Sequence, residues 1–140
     1  MFPEADLAVA RRLERAEAMA NAAFVDARAA LQPNVGAEWI EVAGAYAMFD
    51  GVGSPLTQTF GVGVFDLFGD REFERIEQFF ARHAAAAAHE VSSFAQGDTL
   101  RLLSSRGYSP IEASVVLVRP SMLRRSPVSD RIVGRRIDES

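Results

Sequence analysis

The sequence predicts an α/β domain, a mixed and mostly antiparallel sheet covered by helices, and three observations carry that prediction. First, the stretch Thr57 to Ala88 reads as a buried strand running straight into an amphipathic helix. In its first part Phe60, Val62 and Val64 alternate with Thr59, Gly61, Gly63 and Phe65, the period of a strand with one bulky face and one nearly bare. In its second part Phe73, Ile76, Phe80, His83 or Ala84, and Ala87 recur at helical spacing behind Asp70, the expected N-cap. Second, an aromatic-rich strand pattern, Glu38 to Phe49, precedes this stretch across the turn sequence DGVGSP, so the two predict an antiparallel hairpin. Third, helical and strand patterns continue to alternate as far as Val118.

The elements follow in order. Pro3 to Leu31 is a long helical pattern, with Leu13, Ala20, Phe24, Ala27 and Leu31 as its apolar stripe and Arg11, Arg12, Glu14, Arg15 and Glu17 expected in water. Gln32 to Gly36 ends it. Glu38 to Phe49 is expected as one strand in which Gly44 marks a bulge, and Thr57 to Asp66 as the next. After the helix from Asp70 to about Ala88, His89 to Ser93 is a short strand. Asp98 then caps a helix over Thr99 to Arg106 that Gly107 terminates, and Ile111 to Val118 is the closing strand before Pro120. From Met122 the composition changes to an arginine-rich run without a core-facing period. The expected organisation is one domain over residues 1–120, its helical region at 3–31, followed by a linker or the start of a further half over 121–140.

Composition bounds the function. With 140 residues, 49% of them hydrophobic, the chain suits a single domain that buries most of its apolar surface. No cysteine is present, which excludes a disulfide framework, a thiolate zinc site and a thiol nucleophile. All fifteen basic residues are arginine, so lysine Schiff-base chemistry and a Walker-type phosphate lysine are excluded too. Arginine in place of lysine, with abundant alanine, points to a GC-rich bacterial genome. The net charge of -4 argues against a nucleic-acid partner. No apolar run reaches the ~18 residues of a membrane span and no signal-peptide pattern opens the chain, so the expectation is a soluble cytoplasmic protein without a membrane partner. Two histidines without a carboxylate pattern predict no metal site.

The element order, and the residues SRGYSPIEASVVLVRP from Ser105 to Pro120, resemble the GNAT superfamily of acyl-CoA-dependent N-acetyltransferases. Its members typically show a late short helix ending in Gly and an aromatic, here LLSSRGY, and then a closing strand. The resemblance spans Trp39 to Arg119, and more narrowly the chain looks like the amino-terminal half of bacterial tandem GNAT proteins, in which the second half carries the acetyl-CoA motif. Val133 to Ser140 then looks like the opening strand of such a second half, and the sequence is expected to be a piece of a longer protein.

Two departures from the family pattern shape the functional expectation. GNAT enzymes hold the CoA pyrophosphate with Gln or Arg, two spacers, Gly, a spacer, and Gly or Ala, where the central strand meets its helix. The matching stretch, FDLFGDREF at Phe65 to Phe73, has one glycine, Gly69, and carboxylates at Asp66, Asp70 and Glu72. A carboxylate at those amides repels a phosphate by about 1 kcal/mol at 4 Å even in water, and Arg71 offsets part of it. The tyrosine that many members place four residues before the terminating Gly is Leu103 here. The resemblance therefore implies a degenerate half, without acetyl transfer of its own and with weak or absent acetyl-CoA binding, partnered by a second GNAT half or by its own copy. The alternative is an active acetyl-CoA-dependent transferase on a small amine. In that version Gly61, Gly63, Phe65, Gly69 and Arg71 hold the cofactor, and Glu41 or Glu90 is the general base. Solvent-facing strand positions are the competing account of both glutamates. For Gly61 and Gly63 it is close packing of the first helix.

Overall fold

The computed structural model describes residues 6–118. Of the described residues, 6–112 belong to one compact unit and 113–118 to another. The first holds every assigned element: α1 (Leu7–Leu31), a short 3-10 turn (Pro33–Val35), β1 (Glu38–Val42), β2 (Ala45–Phe49), β3 (Thr59–Phe60), α2 (Asp70–Arg82) and α3 (Thr99–Ser105). The three strands form one antiparallel sheet in the order β1-β2-β3, packed against α1, so the class is mixed α/β.

Helix α1 starts where Asp6 Oδ1 accepts a hydrogen bond from the Val9 amide at 2.7 Å. Its buried residues are Ala10, Ala18, Ala22 and Val25, whereas Leu13, Phe24 and Leu31 of the expected stripe are exposed. The choice of buried face has a steric reason. Ala18, Ala22 and Val25 pack with Met48 and Phe60 in one cluster, and only short side chains let a helix backbone come this close to a sheet. Toward the N-terminus the same face continues through Arg11, Glu14 and Arg15, so those three are half-buried rather than in open water.

The expected single strand over Glu38 to Phe49 is two strands. Ala43 at φ 48° and Gly44 at φ 78° form a two-residue turn, and Glu38 pairs Phe49 through to Val42 pairing Ala45. Two successive positive φ values match the twist of paired strands, which an isolated bulge glycine does not require. The next strand is far shorter than Thr57 to Asp66. Only Thr59 and Phe60 pair, opposite Ala47 and Tyr46, because the chain turns out of the sheet at Gly61 (φ 80°) and Gly63 (φ 70°).

Helix α2 ends at Arg82, not near Ala88. Ala84 adopts φ 52°, the Ala85 amide donates to the Phe80 carbonyl at 3.0 Å, and the remaining alanines leave the helix. Their helix propensity is outweighed by sheet contacts: the Thr59 amide donates to the Ala88 carbonyl and the Glu90 amide to the Thr59 carbonyl, at 2.9 and 2.8 Å. The expected strand at His89 to Ser93 is reduced to this one parallel bridge, Thr59 with His89. Helix α3 begins and ends close to expectation, with Gly107 at φ 88° after it. Ile111 to Val118, expected as the closing strand, carries no strand pairing; the expected helical start at Pro3 and the linker or further half over 121–140, with its strand at Val133 to Ser140, lie outside the described residues.

The main core lies between the sheet and α2, with Phe73, Ile76, Phe79 and Phe80 packed among Val42, Phe49, Val62 and Leu103. A tight contact fixes the loop after β3. A Cβ at Gly63 would stand 2.5 Å from Thr99 Oγ1, and the Gln96 amide donates to the Gly63 carbonyl at 2.7 Å. Gly63→Ala is therefore expected to cost at least about 1 kcal/mol from the left-handed backbone alone, a loss of roughly 4 °C in Tm by thermal unfolding. An unchanged Tm would show that this loop relaxes freely.

Candidate functional site

The junction that joins β3 to α2 is the place where an α/β fold offers free amides to an anion. Here the junction is acidic, and one of its own side chains holds the amide at the cap. Gly69, not Asp70, is the N-cap, and Glu72 Oε2 reaches back to accept a hydrogen bond from the Gly69 amide at 3.0 Å. Asp70 lies in the first turn and is ion-paired with Arg106 Nη1 at 2.8 Å. Two carboxylates thus stand at the positive end of the helix, while Arg71 is exposed beside them.

The bare face read at Gly61 and Gly63 is filled by the chain itself. A Cβ on Gly61 would lie 2.9 Å from the Phe65 ring and one on Gly44 2.5 Å from the Phe65 Cβ. These glycines seat Phe65, whose other side is covered by the Arg15 guanidinium, 4.0 Å from the ring centroid. Gly63 is closed by Thr99 and Ala95. Arg11 completes the enclosure, donating through Nε to the Val64 carbonyl at 2.9 Å and through Nη2 to the Phe65 carbonyl at 3.2 Å. The carbonyls freed when the chain leaves the sheet are satisfied this way.

Beside this loop lies a carboxylate group that sequence reasoning found only in part. Glu14 Oε2 is sealed from solvent without a hydrogen-bond partner. Burial, then the charges of Glu90 and Glu17, raise its pKa to about 7, against the Gly61 main-chain hydrogen bond. Glu90 is also raised, by burial and then by Glu17 and Glu112. Glu90 is a candidate base in the sequence, where Glu14 reads as solvent-facing. The signal for Glu14 was its place on the Ala18, Ala22 and Val25 face, one turn ahead of Ala18. Glu41, the other candidate, is exposed on β1 and faces Arg15 at 3.9 Å. A carboxyl that exchanges its proton near neutrality is able to act as a general acid or base.

The two histidines serve packing. His83 stacks on Phe49 with centroids 4.1 Å apart and places Nε2 2.8 Å from Glu38 Oε1. His89 meets the Tyr108 and Phe73 rings at 4.7 and 5.7 Å, and neither of its buried ring nitrogens has a hydrogen-bond partner. Burial lowers its pKa to about 4, with Glu77 opposing. Glu77 is held low mainly by its hydrogen bonds from Arg106 and accepts from the Tyr108 hydroxyl at 3.1 Å. Leu103 is a core residue, 7% exposed. Among the described residues no group of three or more His, Cys, Asp or Glu side chains is placed to hold a metal, and no helix is long and apolar enough to cross a membrane. Compared with known proteins, the chain matches no family model, no curated protein and no solved structure.

Proposed function

We propose that the chain is a GNAT-like module without acetyl transfer of its own, working beside a catalytic partner as a structural or substrate-facing half. The observation that carries this reading is the Glu72 carboxylate on the Gly69 amide at 3.0 Å. It holds the cap amide at the helix start, where the resemblance would put a CoA pyrophosphate, and leaves a negative charge there. Support comes from Phe65 packed where a pantetheine arm would lie along Gly61, and from Leu103 in the core at the position of the family's proton donor. The reading is also compatible with the small antiparallel sheet, the helix that follows it and the isolated parallel bridge at Thr59.

A second reading, an active acyltransferase on a small amine, draws on Glu14 and Glu90. Their raised pKa values beside Gly61 suit a base that deprotonates an ammonium. Calorimetric titration of acetyl-CoA into the 140-residue chain at low salt separates the two. The expected result is no binding heat up to about 1 mM, a free energy weaker than about -4 kcal/mol. Micromolar binding, with amine acetylation lost in Glu14→Gln or Glu90→Gln, would establish the second reading and overturn the first.

A further inference from the structure

Helix α1 has two apolar faces, and only one of them packs on the sheet. The other runs through Leu13, Ala20, Phe24, Ala27 and Leu31, all exposed, with Phe24 at 52% and Leu31 at 82%. It is about 27 Å long at 1.5 Å per residue. Toward its C-terminal end Phe24, Ala27, Arg28, Leu31 and Gln32 line a shallow, apolar recess of about 220 Å³. An apolar face of this length on a helix already anchored by its opposite side is an interaction surface.

We propose that this face pairs with the same face of a second copy of the chain, the two α1 helices lying antiparallel about a two-fold axis at the level of Ala22. The order of residues selects that occupant. About this axis Leu13 of one copy lies opposite Leu31 of the other, within reach of its recess, and Ala20 lies opposite Phe24, so the large ring meets a small neighbour. Glu17 lies opposite Ala27 and Arg28, whose guanidinium is held in place by Asp50 at 3.0 Å. Every contact is repeated by symmetry, as an isologous interface requires. A parallel pairing would instead set Phe24 on Phe24 and Glu17 on Glu17. One helix pair covers less than the roughly 800 Å² per partner of a standard interface, which places it among weak, reversible associations. The inference does not rest on the proposed degenerate GNAT-like reading, whose carrying contact, Glu72 on the Gly69 amide, lies at the start of α2.

Sedimentation equilibrium of the full chain from about 1 to about 500 μM tests it. The expected result is a monomer–dimer equilibrium that Phe24→Glu weakens at least tenfold, with the circular dichroism spectrum unchanged. Because the chain has no cysteine, cross-linking reads the register directly. Chains carrying Ala20→Cys mixed with chains carrying Phe24→Cys should form disulfide dimers faster than either variant alone. A monomer at every concentration, a dimer indifferent to Phe24→Glu, or equal cross-linking of Ala20→Cys with itself would overturn the proposal.

Discussion

Replacing Phe73 with alanine is expected to destabilise the fold by roughly 3–5 kcal/mol, the range for truncating a fully buried phenylalanine. Phe73 has no exposed surface. Its ring meets Phe68 edge-on at 5.3 Å and His89 at 5.7 Å, and the Arg106 guanidinium stands 5.9 Å from its centroid. The truncation therefore opens a cavity where α2, the His89 bridge and α3 converge, and none of the three can close it without leaving its own contacts. Against a typical total stability of about 5–15 kcal/mol, that loss removes a third or more of the margin in all but the most stable domains. Urea titration followed by circular dichroism gives the measure. The midpoint should fall steeply with the slope m unchanged, while Val52→Ala, at a side chain 76% exposed, stays within about 0.5 kcal/mol of the parent. Equal costs at the two positions would mean that Phe73 is not a core anchor.

The second large effect is a dependence of stability on pH that His89 imposes. Its folded pKa of about 4 lies below the ordinary 6.5, because burial disfavours the imidazolium. Between those values the unfolded chain takes up a proton that the folded chain does not, so stability from this group is complete above pH 6.5 and is lost as pH falls toward 4. At 1.36 kcal/mol per pKa unit the full loss is about 3 kcal/mol. Glu14 acts with the opposite sign. Its folded pKa of about 7, above the ordinary 4.5, favours the fold below pH 4.5 and ceases to do so as pH rises through 7. The two groups therefore oppose each other across the same window, and the parent's slope alone does not isolate either. The difference between parent and His89→Phe does, since phenylalanine keeps the contacts with Phe73 and Tyr108 and cannot charge. The expected result is that the variant gains stability over the parent steadily from pH 6.5 to 4. A constant difference across that range would place the His89 imidazole in contact with water.

Much of this fold was legible along the chain. Phe73, Ile76 and Phe80 announce α2 by their spacing, Asp98 and Gly107 bracket α3, and the turn after Phe49 was expected between antiparallel strands, as β2 and β3 are. What failed failed for local reasons with tertiary causes. Ala43-Gly44 is a weak hairpin signal beside Asn-Gly, so two strands read as one. The alanines from Ala84 to Ala88 have the highest helix propensity of any residue type, yet Thr59 draws their end into the sheet. On α1, hydrophobicity pointed to Leu13, Phe24 and Leu31, whereas the sheet is met by the face on which small side chains permit close approach.

The candidate site divides in the same way. The acidic, glycine-poor start of α2 was visible in FDLFGDREF, and so was the absence of a tyrosine at Leu103. Which carboxylate caps the helix was not visible, because Glu72 and Asp70 differ by their reach across the first turn rather than by their chemistry. Glu14 was hidden for a related cause: a glutamate among arginines reads as solvated until a loop closes over it. By itself the sequence determined the helices, the antiparallel pairing and the charge at the junction, because spacing, turn chemistry and residue type are local properties. Only the tertiary structure decided which face of α1 is buried, where the strands stop and which carboxyl gives up its solvent, since burial depends on what the rest of the chain brings alongside.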